Sequence, residues 1–130
     1  MSVPGKSILA TNDTDQRILI VDSDDQFREG LHNFLLAAGY EDVDATETFP
    51  KALEKIRKSA YDVVVSEAGS RTEGGLAFAE RIAKANPGVK IILMIKVEDQ
   101  KNWTEKAGST GFQFLLKPTF PQNLLYLLHS

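Results

Sequence analysis

The stretch Tyr61–Gly75, YDVVVSEAGSRTEGG, decides the reading of this chain. Val63, Val64 and Val65 form an unbroken β-branched run between polar residues, the pattern of a short strand buried on both faces of a parallel sheet. The run gives way to Ser66 and Glu67. In an open parallel α/β sheet, ligands and chemistry collect just beyond the carboxyl ends of the strands, so Glu67 is the first candidate for a functional side chain.

Working outward, Arg17-Ile18-Leu19-Ile20-Val21 is a second buried-type strand, followed at once by Asp22-Ser23-Asp24-Asp25. From Gln26 the apolar residues Phe27, Leu31, Phe34, Leu35 and Ala38 recur at helical spacing, and Gly39 supplies a left-handed stop. Val43 and Ala45 mark a short strand. Thr48, Pro50 and the stripe Ala52, Leu53, Ile56 predict a capped second helix with proline in its first turn. A third helix is expected from about Gly75, with Leu76, Ala79, Ile82 and Ala83 inward, ending at Asn86-Pro87-Gly88. Val89 to Ile95 is the most apolar strand, and a polar fourth helix with Val97 and Trp103 is expected over Lys96 to Ala107. Phe112 to Leu116 makes a fifth strand running into Lys117-Pro118, and Leu124, Leu125, Leu127 and Leu128 a last short helix. Five strands alternating with five helices predict an α/β fold: a five-stranded, doubly wound parallel sheet with helices on both faces and right-handed crossovers.

Length and composition agree with that picture. A chain of 130 residues, 42% of them hydrophobic, has the size and apolar content of one domain. Residues 1–16 are rich in small and polar types and are expected to form a flexible N-terminal tail, leaving 17–130 as the folded domain. The net charge of -3 offers no basic field for direct nucleic-acid binding. Without cysteine there is no disulfide framework and no thiolate metal site. The longest apolar run, Ile91 to Ile95, is too short to cross a bilayer, so no membrane association and a cytoplasmic location are expected.

Parallel strands would deliver Asp22, Glu67, Lys96 and Lys117 to one edge. With these residues in place, the chain from Arg17 onward resembles the receiver domain of two-component response regulators, the CheY-like fold within the flavodoxin-like class. RILIVDSDDQFREGL is similar to the family's first block, YDVVVSEAGSRTEGGL to its second and FLLKP to its last. The resemblance implies an acidic pocket from Asp22, Ser23, Asp24 and Asp25, with only Asp22 matching the family's acidic pair. It puts Glu67 at the phospho-acceptor position, normally Asp, and Lys96 where the family has Ser or Thr. Gly74 stands where an acid usually precedes the glycine. Lys117 is the matching pocket cation, Pro118 would follow a cis peptide bond, and Phe114 takes the place of the switch aromatic.

These departures carry physical consequences. The family uses Mg²⁺, a hard cation that wants oxygen ligands in octahedral array. Replacing a carboxylate by Ser23 and adding the Lys96 ammonium weakens that site, so metal binding is expected to be weak or absent, with Asp22, Glu67 and Gly69 the candidate ligands. Glu67 carries its carboxylate one methylene further out, and misplacement of about 1 Å can cost about a hundredfold in rate. The reading is therefore an atypical receiver, a signalling and protein-interaction module rather than an enzyme, with weak or no phosphorylation. Glu67 is expected to pair with Lys117, with Lys96 as a further member of the ion network. The resemblance implies a histidine kinase or a downstream effector as partner, through the fourth helix, the fifth strand and the last helix, and leaves room for a homodimer. The alternative is a small haloacid-dehalogenase-type phosphatase or phosphotransferase, with Asp22 as nucleophile and Asp24 as acid or base.

Overall fold

The computed structural model describes residues 13–69, 72–103, 111–117 and 121–129. Its strands are β1 (Ile18–Val21), β2 (Val43–Thr46), β3 (Val63–Glu67), β4 (Lys90–Lys96) and β5 (Gln113–Lys117). Between them run α1 (Asp25–Ala37), α2 (Phe49–Lys58) and α3 (Thr72–Ala85). A 3₁₀ turn, Val97–Asp99, leads into α4, described over 100–103, and α5 spans Pro121–His129. The sheet order is β2-β1-β3-β4-β5 and every pairing is parallel, with Val21 opposite Ser66, Glu67 opposite Met94 and Lys96 opposite Lys117. The doubly wound sheet expected from the strand–helix alternation is thus the one the chain forms.

Alternation along the strands sorts the core into two halves. Ile18, Ile20, Val63, Val65, Ile92, Met94 and Leu115 pack with Leu31 and Leu35 of α1 and Leu124 and Leu128 of α5. Leu19, Val21, Val64, Ile91, Leu93 and Ile95 face the other way, onto Ala52 of α2, Phe78, Ala79 and Ile82 of α3, and Trp103. All four β1 side chains are fully buried, each contributing about 1.5–3 kcal/mol of apolar burial. That double-sided burial is why the strands read as continuous apolar runs.

Element ends follow local chemistry. Asp24 caps α1 by accepting from the Phe27 amide, and Gly39, at φ 106°, takes the left-handed conformation past its end. Thr48 caps α2, accepting from the Lys51 amide, with Pro50 in the first turn. Three boundaries differ from the sequence reading. Helix α3 begins at Thr72, ahead of the expected start at about Gly75. Lys96 closes β4 instead of opening a helix, because it stays in register with Lys117. Order also begins before Arg17: Asp13–Asp15 form a 3₁₀ turn and the Gln16 side-chain amide donates to the Leu128 carbonyl, fastening this segment to the end of α5. The rest of the expected tail, 1–12, lies outside the described residues.

Candidate functional site

The carboxyl ends of β1, β3, β4 and β5 open on a cleft of about 480 Å³ lined by Ser23, Phe49, Glu67, Gly69, Lys96 and Lys117, among others. Each strand stops where the sequence turns from apolar to ionisable, which places Asp22, Glu67, Lys96 and Lys117 at one edge. Beneath the cleft, α3 packs hard against the loop after β3. A Cβ on Gly75 would lie 2.5 Å from the Ala68 carbonyl oxygen, so only glycine permits this approach. Gly69, at φ 84°, turns the chain between them.

The ion pairing differs from the expected network. Lys117 does not pair with Glu67; its Nζ donates to Asp22 Oδ2 at 2.8 Å and lies 4.2 Å from the centre of the Phe27 ring. The reason is desolvation. Asp22 is fully buried, and a buried carboxylate without a cation is far more costly than a partly solvated one, so the ammonium settles there. Glu67 is partly buried and takes neutral donors instead: its Oε2 accepts from the Ser23 amide and its Oε1 from the Ser23 hydroxyl, each at 3.1 Å. Strands β1 and β3 are neighbours, so the extra methylene of glutamate spans the gap between their following loops. Lys96 is exposed at the rim of the cleft, and among the described residues no ion pair joins it to Glu67.

The remaining acids are also committed. Asp22 Oδ1 accepts from the Asp24 amide at 2.9 Å, Asp24 caps α1, and Asp25 pairs with Arg28 at 2.7 Å. Arg28 also donates to the Asp22 backbone carbonyl at 2.7 Å, and its guanidinium pKa is raised, chiefly by the hydrogen bond to Asp25. This arrangement does not fit Mg²⁺. A hard divalent cation needs several anionic oxygens without a competing cation, and here the Lys117 ammonium already neutralises Asp22, Ser23 donates to both oxygens of Glu67, and Lys96 and Lys117 line the same cleft. The Asp24 carboxylate is held at the start of α1 by the Phe27 amide.

Phe114 on β5 is partly buried and packs on the buried Trp103, with ring centres 5.9 Å apart. Pro118 lies outside the described residues. Sequence reasoning missed Phe27, Arg28 and the close approach at Gly75. The first two stand one turn into α1 from the acidic loop, a spacing that brings their side chains back over it; for Gly75 only the Gly-Gly pair hinted at crowding.

An open five-stranded parallel sheet with an acid at the ends of β1 and β3 and a lysine at the end of β5 defines a class of α/β signalling domain. The sequence profile described as the response regulator receiver domain matches residues 18–129, and the chain belongs to that family. The chemotaxis protein CheY of Thermotoga maritima is 26% identical over 115 residues, covering 88% of this chain and 96% of that protein. The transcriptional regulatory protein ZraR of Escherichia coli K12 is 26% identical over 107 residues, which are 82% of this chain and only 24% of that protein. Among solved structures, the chemotaxis response regulator CheY4 of Vibrio cholerae superposes with a TM-score of 0.75 at 24% identity, covering 88% of this chain and 97% of that one, a likeness of fold. Among the described residues, no helix is long and apolar enough to cross a membrane.

Proposed function

We propose that this receiver domain works as a phosphorylation-independent interaction module of cytoplasmic two-component signalling, without enzymatic activity. The observation that carries the reading is the state of the phospho-acceptor position: Glu67 stands in the nucleophile's place with both carboxylate oxygens held by Ser23. Displacement at phosphorus needs a free carboxylate oxygen, in line and charge-neutralised by cations. Here the pocket lysine serves Asp22 instead.

The partner is a histidine kinase or a downstream effector. Three of the four large apolar side chains exposed among the described residues, Val97, Leu116 and Tyr126, come from the turn before α4, from β5 and from α5, the elements expected to meet a partner. Incubation with acetyl phosphate and Mg²⁺, read by intact mass, tests the reading. The expected result is no phosphoryl adduct under conditions that label a receiver with aspartate at this position. A stable adduct on Glu67 or a neighbouring carboxylate overturns it.

A further inference from the structure

The loop after β1 and the end of β3 are joined by one residue from each, and no charged pair is involved. Ser23 gives its backbone amide and its hydroxyl to opposite oxygens of Glu67. A cation entering this pocket would compete with the Lys117 ammonium for Asp22 Oδ2 and with both Ser23 donors for Glu67, with Lys96 and Lys117 lining the same cleft. Of these contacts the Lys117–Asp22 bond is buried and charge-assisted, and the two from Ser23 hold both oxygens of Glu67 at the exposed mouth of the cleft.

We propose that Ser23 is the residue that excludes a divalent cation from this site and clasps the two loops together in its stead. Ser23 is a positioning residue: it acts through Glu67, fixing the loop that carries Ala68 and Gly69 against the N-terminal part of α3. Two neutral donors hold the carboxylate without neutralising it, and the clasp therefore asks for no cofactor. Putting an acid at position 23 removes the hydroxyl, sets a second carboxylate beside Glu67 and turns the same geometry into a hard-cation site.

The test uses the full chain and MnCl₂ alone, read as paramagnetic broadening of backbone amide signals. The exposed acids Glu41 and Asp42, on the opposite edge of the sheet, provide the reference for unspecific attraction. In the unaltered protein, broadening at residues 22–24 and 67–69 is expected to be no greater than at that reference. Ser23→Asp is expected to gain saturable broadening there, with affinity up by about tenfold or more. Ser23→Ala, which keeps the fold and removes only the hydroxyl, is expected to speed amide exchange at position 23 by about fivefold. Saturable Mn²⁺ binding at these amides in the unaltered protein overturns the proposal, as does a Ser23→Asp variant that gains nothing, or unchanged exchange in Ser23→Ala. The inference rests on the reading of Glu67 given above, yet the two fail separately. Metal binding without a phosphoryl adduct removes the clasp alone, and an adduct formed without metal binding removes the proposed function alone.

Discussion

The two edges of the sheet are both rich in charge, but they use it differently. At the carboxyl edge the central pair, Asp22 and Lys117, is buried, and its members depend on each other. At the amino edge Arg17 pairs with Asp42 at 3.0 Å in a partly solvated setting, lies over the Tyr61 ring and donates to the Ala60 carbonyl, while Tyr61 donates to Asp44. The same residue types thus form a tight, mutually dependent pair at one end and a loose, redundant mesh at the other. Burial decides the worth of each contact: a desolvated charge that loses its partner cannot turn to water, whereas an exposed one can.

The sharpest way to break the comparison is to remove one partner at each edge. Lys117→Ala leaves Asp22 buried and alone and is expected to cost about 3–5 kcal/mol in chemical denaturation. Pairing Lys117→Met with Asp22→Asn is expected to recover a large part of that loss, since no buried charge then remains. A loss no greater than that of an exposed pair would show the two edges to be equivalent. Next in size is the backbone contact under the cleft. Gly75→Ala forces its Cβ into the Ala68 backbone and is expected to cost about 1–3 kcal/mol by thermal melting. Gly88→Ala, at the amino edge with nothing within 4 Å of the added carbon, is expected to change stability by no more than about 0.5 kcal/mol.

Arg17→Ala is expected to cost about 1 kcal/mol or less, with a difference that shrinks in high salt, because its ion pair is partly exposed. The smallest effect is a matter of pH. Burial, and then the hydrogen bond to Asp44, push the Tyr61 hydroxyl well above its ordinary value of 10.0. A raised value means stability that is whole below about pH 10 and declines as pH climbs toward the folded value. Tyr61→Phe is expected to flatten that alkaline decline, measured as melting temperature against pH.

The strands were legible because burial on both sides leaves an apolar run that no surface element imitates, as in Ile18–Val21 and Ile91–Ile95. Caps at Thr48 and the stop at Gly39 were legible because they are local chemistry. The identities at the carboxyl edge could also be read, since the end of a parallel strand is a place that topology fixes. The pairing among them could not. Whether Lys117 goes to Asp22 or Glu67 depends on which carboxylate is more deeply desolvated, a property of the assembled domain that no spacing encodes. The start of α3 lies a few residues earlier than its expected place for a related reason: glycine is a poor helix former in isolation, and the nearness of Ala68, which requires glycine at position 75, is a tertiary contact.

The contact between Trp103 and Phe114 has an optical consequence. The chain holds a single tryptophan, 1% exposed, with its Nε1 buried and, among the described residues, without a hydrogen-bond partner. Its fluorescence should therefore peak at short wavelength and move to the red only when the β5 flank loosens. This gives the protein a built-in spectroscopic gauge of that flank, readable without any attached dye and silent to events confined to the Ser23 side.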